Sequence, residues 1–356
     1  MNEKTPRQMG IELLRILSMF MAVILHILGR GGILANLAPL SAEYHVAWFL
    51  EIAFFCAVNC FALITGYVSA NSKFNFSRLM TLWMQIIFYS ILIFSVYFIF
   101  TQNPATAQDI LTALFPVSMT AHWYVTAYFG MFLFIPIFNK LIHALTKRQF
   151  KTMIILLVLV FSIWPTIAGT DLFHLENGYS CAWLIVLYFI GAYMRMYGLW
   201  QSLKKREIFF IYLLSVFAVW TSKIIIQMFP NNLINVDFLL SYTSPFILLS
   251  AVALLALFAR LKIKNKFSLS LIGFFAPLSF GVYLIHTSPL VFNHVLNGLF
   301  TSYSAMPCIE MMFIVFLSGA AIFIGCSFVD YGRGKLFKLL KLDKLAQKAN
   351  NLLQNW

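Results

Sequence analysis

The first apolar run of this chain, GIELLRILSMFMAVILHI, contains two residues that a lipid-facing helix has no use for, Arg15 and His26. At about 100° per residue, their spacing returns to within about 20° of one helix face, and it separates them by about 16 Å along the axis. One face therefore carries a guanidinium, which can hold an anion, and an imidazole, which can move a proton. Ionisable groups inside membrane spans cost about 2.5–3.5 kcal/mol on insertion scales and by default mark functional sites. Each residue also has a structural reading. Arg15 lies near enough to the inner boundary for its stem to snorkel to the headgroups, and Glu12, one turn earlier, is placed to pair with it. A single buried histidine is commonly a hydrogen-bonded packing residue. It is the sharing of one face that favours function.

Further polar residues interrupt later apolar segments. Glu51 and Asn59 lie in the second run, which ends in ITGYVSA; there Thr65 and Gly66 suit close helix packing and Tyr67 an interfacial belt. Asn59 reads best as an interhelical hydrogen bond. The stretch AHWYVTAYFG gathers His122, Trp123, Tyr124 and Tyr128 at an expected outer interface, and PLSFGVYLIHTSPL places His286 one to two turns after Ser279, Gly281 and Tyr283. Cys56 and Cys60 would share a helix face, but without a histidine or acidic neighbour they read as packing residues, and no metal site is expected. Cys181 and Cys308 fall near outer ends, and their spacing neither supports nor excludes a bridge.

The elements that must position these residues are membrane helices. Hydrophobic residues make up 61% of the chain and charged residues 10%, with 38 phenylalanines among 356 residues and a mean hydropathy of +0.85. A soluble domain with a polar skin is excluded, and the short alternating segments of a membrane β-barrel are absent. The expected fold is all-α, a polytopic bundle of about ten spans near 10–28, 47–70, 79–101, 123–143, 152–170, 181–197, 207–228, 242–260, 271–293 and 309–329. Lys and Arg alternate between connections: they crowd the N-terminus, the loops near 73–78, 140–151, 204–206 and 260–266, and the tail, whereas the other loops are mostly acidic, with Arg30 the clear exception. By the positive-inside rule both termini are cytoplasmic.

The net charge of +13 is thus accounted for by topology and anionic lipid rather than nucleic acid, although an anionic cytosolic substrate would also be drawn to those loops. Residues 1–330 form one membrane domain. Residues 331–356, where Lys alternates with Leu, are expected as a cytoplasmic amphipathic basic tail lying on the membrane surface. Glu12 and Arg15 spoil the first run as a cleavable signal, so it stays as the first helix.

The Arg15-to-His26 pattern in the first span resembles the hallmark of the acyltransferase family 3 integral membrane proteins. The resemblance extends along nearly the whole chain. ITGY is similar to the family's Ser-Gly-Phe or Ser-Gly-Tyr ending of the second span, HWYVTAYFGMFLFIPIFN to its Trp-Tyr segment, and SFGVYLIHTSPL to its penultimate helix. Two departures stand out: Thr65 replaces the usual serine, and Asn75 stands where a second arginine often precedes Arg78 by three, leaving Lys73 as the nearest second cation.

This resemblance implies an O-acyltransferase of the bacterial inner (cytoplasmic) membrane, using acetyl-CoA as co-substrate and a hydroxyl of a surface polysaccharide or other envelope glycan as acceptor. On the same footing His26 would be the general base, and Arg15 with Glu12 would hold a donor phosphate or stabilise developing charge. Arg78 and Lys73 would contribute to coenzyme binding, and Trp123, Tyr124 and His286 would wall the acceptor side. Some family members carry an appended extracytoplasmic domain; here the chain would act alone or with a separate extracytoplasmic partner. The rival reading is a transporter or flippase of a lipid-linked sugar, which midplane polar residues and basic inner loops would serve equally.

Overall fold

The structure is a computed structural model, and it describes residues 8–72, 75–102, 104–229, 235–342, 344, 347 and 348. It is all-helical, with no strand among the described residues. Helix α1 (Met9–Leu28) opens the chain; its interior lacks proline, and it buries residues on every side. Helices α2 (Ala42–Phe54) and α3 (Ala57–Ser69) form one 28-residue apolar stretch broken near Phe55 and Cys56. Helix α4 (Phe76–Thr101) follows, then the short amphipathic α5 (Ala107–Leu114), closed by a capping box between Thr106 and Asp109. Helices α6 (Trp123–Leu133) and α7 (Ile135–Ala144) meet at 53°, with Pro136 in the first turn of the second.

The second half contains α8 (Lys147–Val158) and α9 (Trp164–Ala168), joined through a π-turn, and then α10 (Cys181–Tyr197), α11 (Lys205–Met228) and α12 (Pro245–Ala259). Helices α13 (Lys266–Phe275) and α14 (Ser279–His286) are continuous through a 3-10 turn containing Pro277, and α15 (Cys308–Leu339) is the longest. Seven helices among the described residues are long and apolar enough to cross a membrane, or eight if the bent α6–α7 pair counts as one span. The other two expected spans are real helices of 17 and 15 residues, α10 and α12. At 1.5 Å per residue they are about 26 and 22 Å long, below the usual membrane requirement, and both are buried among other helices rather than facing lipid.

Two glycines bring α3 and α10 into close approach. A Cβ at Gly66 of α3 would lie 2.0 Å from the Tyr188 carbonyl oxygen of α10, and one at Gly191 of α10 would lie 2.1 Å from that of Leu63. Small residues that let backbones meet in this way are the usual device of membrane helix packing. Asn59 completes the junction, donating to the Tyr242 carbonyl at 2.8 Å and accepting from the Trp183 indole at 3.0 Å.

The basic connections gather at one end of the bundle. There Arg260 donates to the carbonyls of Leu203, Leu199 and Trp200, Arg195 stands over the Tyr67 ring, Lys147 over that of Tyr197, and Gly10 of α1 abuts the Phe258 carbonyl of α12. The opposite end joins Gly298 to Arg30, Tyr242 to Asn177, and the Cys308 thiol to the Glu43 carboxylate.

The last two spans differ in their bounds from those expected, and the last helix runs on into the segment expected as the tail. The segment expected over 271–293 begins and ends earlier, at Lys266 and His286, because the chain turns at Thr287 and Ser288. The tail expected from residue 331 is, as far as Leu339, the unbroken continuation of α15. Asp330 is fully buried and accepts from Gln85, Tyr89 and Arg333, and Phe337 is buried against Phe88. These contacts hold the beginning of the tail in the bundle.

Candidate functional site

A cavity of about 1100 Å³ runs through the bundle between α1, α3, α4, α6 and α14. Arg15, Thr65, Ser69 and Arg78 line it at the basic end, and His26, His122 and Tyr283 line it further in. Gly29, Arg30, Thr120 and Asn293 line the far end. Exposed residues occur at both ends, Val68 and Arg78 at one and Gly29, Thr120 and Asn293 at the other. The Arg15–His26 face of α1 therefore looks into a shared interior space rather than into lipid.

Arg15 pairs with Glu12 across one turn, Nη1 to Oε2, at 2.5 Å, and its side chain keeps 31% of its exposure. One guanidinium edge is thus fixed by a carboxylate, which leaves donors for a second anion. Arg78, in the first turn of α4, lies on the same stretch of wall and is exposed. Its helix is capped by Asn75, whose side chain accepts from the Ser77 backbone, so the residue three before Arg78 serves the helix terminus. Lys73 lies outside the described residues.

The centre of the site is a pair of imidazoles. His26 Nδ1 is 3.0 Å from His286 Nε2, and His286 Nδ1 is 2.6 Å from the Val282 carbonyl oxygen, one turn earlier in α14. A carbonyl only accepts, so His286 Nδ1 carries the proton. In the neutral pair its Nε2 is then the acceptor and His26 Nδ1 the donor, which leaves a lone pair on His26 Nε2. No hydrogen bond reaches that nitrogen among the described residues, and His26 lines the cavity. His286 is 2% exposed and absent from the wall. It stands behind His26 and does not itself line the cavity, because α14 turns its last residue inward against α1.

A second imidazole is set by the same logic. The Thr287 hydroxyl donates to the Tyr283 carbonyl at 2.7 Å and, with its proton so engaged, accepts from His122 Nδ1 at 3.0 Å. His122 Nε2 is thereby the unprotonated nitrogen. Its ring packs against Tyr283, 5.6 Å between centroids, and that of His26 lies edge-on to Phe292 at 5.1 Å.

Trp123 and Tyr124 both line the cavity. Trp123 packs with Tyr179 and Tyr242, and Tyr124 with Phe61, Tyr128 and Tyr283. Sequence reasoning passed over Thr287, Tyr179, Tyr242 and the role of Arg30, whose guanidinium reaches the Asn293 side chain at 2.7 Å and the Phe292 carbonyl at 3.3 Å. Thr287 was within reach, since it directly follows His286. Tyr179 and Tyr242 were not, because they sit in connections whose contacts arise only from the fold.

The cysteines are all free thiols. Cys56 and Cys60 are buried in the core against the carbonyls of Ala53 and Ala251, and no group of three or more metal-ligating side chains occurs among the described residues.

No curated protein and no solved structure matches the chain. A family model described as an acyltransferase domain matches residues 9–331, nearly the whole chain, and runs from the first turn of α1 into the last turns of α15. The histidine-bearing cavity therefore lies in a multi-pass membrane protein that belongs to the acyltransferase 3 family.

Proposed function

We propose that the protein transfers an acyl group, acetyl in the simplest case, from acyl-CoA to a hydroxyl of an envelope glycan at the inner membrane. The observation that carries this reading is the hydrogen-bonded chain from the Val282 carbonyl through His286 to His26, which leaves a free lone pair on a histidine that lines a cavity with cationic walls. An alcohol is a poor nucleophile at neutral pH, and a positioned neutral imidazole remedies this by taking its proton as attack occurs. His26 Nε2 accepts the hydroxyl proton while the oxygen adds to the thioester carbonyl. Collapse of the tetrahedral intermediate breaks the C–S bond, and the proton passes from the imidazolium to the departing thiolate. Ester and free coenzyme A result, and His26 is neutral again.

The donor enters from the basic end in this reading, its phosphates held by Arg15 and Arg78. The roughly 16 Å from Arg15 to His26 along α1 is comparable with an extended pantetheine arm. The acceptor approaches from the end lined by Thr120 and Asn293, where a separate extracytoplasmic partner would present it. A cavity with two ends also suits a transporter of a lipid-linked sugar, and one experiment separates the readings. Membranes with the wild-type protein or His26→Ala are supplied with acetyl-labelled acetyl-CoA, and alkali-labile label is measured in the glycan. Loss of a general base is expected to lower transfer by about 10²- to 10⁴-fold. Unchanged labelling in the variant would remove His26 from the chemistry, and absence of label with both proteins would favour transport.

A further inference from the structure

Near the far end of the cavity, in the last turn of α2, Glu51 lines the wall while only 8% exposed. Its Oε2 is buried without a hydrogen-bond partner among the described residues. The nearby cation does not satisfy it: Lys223 is bound to Asp237 at 2.6 Å and lies 3.5 Å above the Trp48 ring. A buried carboxyl oxygen left unsatisfied is costly and calls for an explanation.

Beside it on the same wall stand Phe55, Trp123, Tyr179 and Tyr242. These rings pack against one another. Phe55 stacks on Tyr242 at 4.7 Å and 23°, Trp123 is nearly parallel to Tyr242 at 22°, and Tyr179 fills the corner at 4.4 Å from Trp123 and 5.0 Å from Tyr242. Because they pack ring on ring, they form a continuous aromatic wall and not a cage around an empty centre. The wall is rigidly backed, since Asn59 holds the Tyr242 carbonyl and the Tyr242 amide donates to the Asn177 carbonyl.

We infer that Glu51 and this aromatic wall form the subsite that binds a saccharide ring of the acceptor. A sugar has a polar rim of hydroxyl donors and a face of C–H bonds. The C–H face suits the exposed ring of Tyr179 and the part-exposed ring of Trp123, both on the cavity wall, and neighbouring hydroxyls can exchange hydrogen bonds with one carboxyl group. An ammonium ligand would want rings disposed around it, which this packing does not provide. The inference rests on the acyltransfer reading for the identity of the acceptor, and it adds the residues that select it. His122, next to Trp123 in sequence and on the same wall, would then place the bound ring between the subsite and His26.

The test uses the full chain in nanodiscs, with oligosaccharides released from the host's own surface glycan as probe and isothermal titration calorimetry as readout, and binding of acetyl-CoA measured alongside. Glu51→Ala and Trp123→Ala are each expected to weaken saccharide binding at least tenfold and to leave acetyl-CoA binding within twofold. Glu51→Gln, nearly isosteric and still able to accept through its amide oxygen, is expected to lose less and guards against misfolding of the alanine variant. Unchanged saccharide binding in both Glu51 variants, no binding by the wild type, equal loss of acetyl-CoA binding, or tighter Glu51-dependent binding of choline than of saccharide would each overturn the subsite. Saccharide binding without acyl transfer would sink only the transfer reading. Transfer that is indifferent to Glu51 would sink only the subsite.

Discussion

At the scale of single residues, the protonation pattern of the site follows from one backbone carbonyl. Val282 accepts from His286, which fixes that tautomer, and the tautomer in turn directs the proton of His26 away from the cavity. In the proposed reaction His286 is a positioning residue, and its loss should be distinguishable from loss of the base. For His286→Ala, transfer is expected to fall by about one to two orders of magnitude, less than for a missing general base, with an altered pH profile and unchanged KM for acyl-CoA. His286→Gln, whose amide oxygen can still accept from His26 Nδ1, is expected to recover part of the rate. A base works only when unprotonated, so wild-type activity should rise with pH to a plateau and be lost on acidification. Steady-state kinetics across pH with purified variants checks all three. Equal losses in His286→Ala and His286→Gln, with the profile unmoved, would reduce His286 to packing.

At the scale of elements, the helices around the cavity are registered by buried polar knots and small-residue contacts. Asp330 of α15 binds Gln85 and Tyr89 of α4 and pairs with Arg333, while Gly281 of α14 lies against it so closely that a Cβ would sit 2.2 Å from its carboxyl carbon. The knot thus sets α14, and with it His286, against α4 and α15. Asp330→Ala leaves Arg333 without its buried counter-charge and is expected to cost about 3–5 kcal/mol. Gly281→Ala is expected to cost about 1–3 kcal/mol through overpacking, as is Gly66→Ala at the α3–α10 contact. Thermal unfolding in detergent, with Gly332→Ala as an unhindered control, measures these effects. Wild-type stability in Gly66→Ala would mean that α3 and α10 do not approach as closely as described.

At the scale of the whole molecule, the informative feature is a single cavity reaching a basic end and an opposite one. The charge pattern assigns the basic end to the cytoplasm, and that assignment can be tested at the cavity's own residues. In a background with the five native cysteines replaced, Asn293→Cys is expected to react with a membrane-impermeant maleimide on intact spheroplasts, and Arg78→Cys only after permeabilisation. The opposite pattern would invert the topology and move donor entry to the other face.

Composition and apolar run length sufficed for a polytopic helical bundle, since each of the ten runs contains helix and such runs can bury their backbone only in that form. Spacing alone sufficed to place Arg15 and His26 on one face, because helical periodicity is local. Which way that face points was not local. Two apolar segments near a membrane span in length turned out to be short helices packed inside the bundle, a distinction that depends on neighbours far away in sequence. The partner of His26 lies 260 residues away, and Glu51 meets Tyr179 and Tyr242 on one wall only after α2, the loop before α10 and the loop before α12 have come together. A hydrogen-bonded tautomer and a buried carboxylate left open to a cavity are properties of such long-range contacts, and only the tertiary structure decides them.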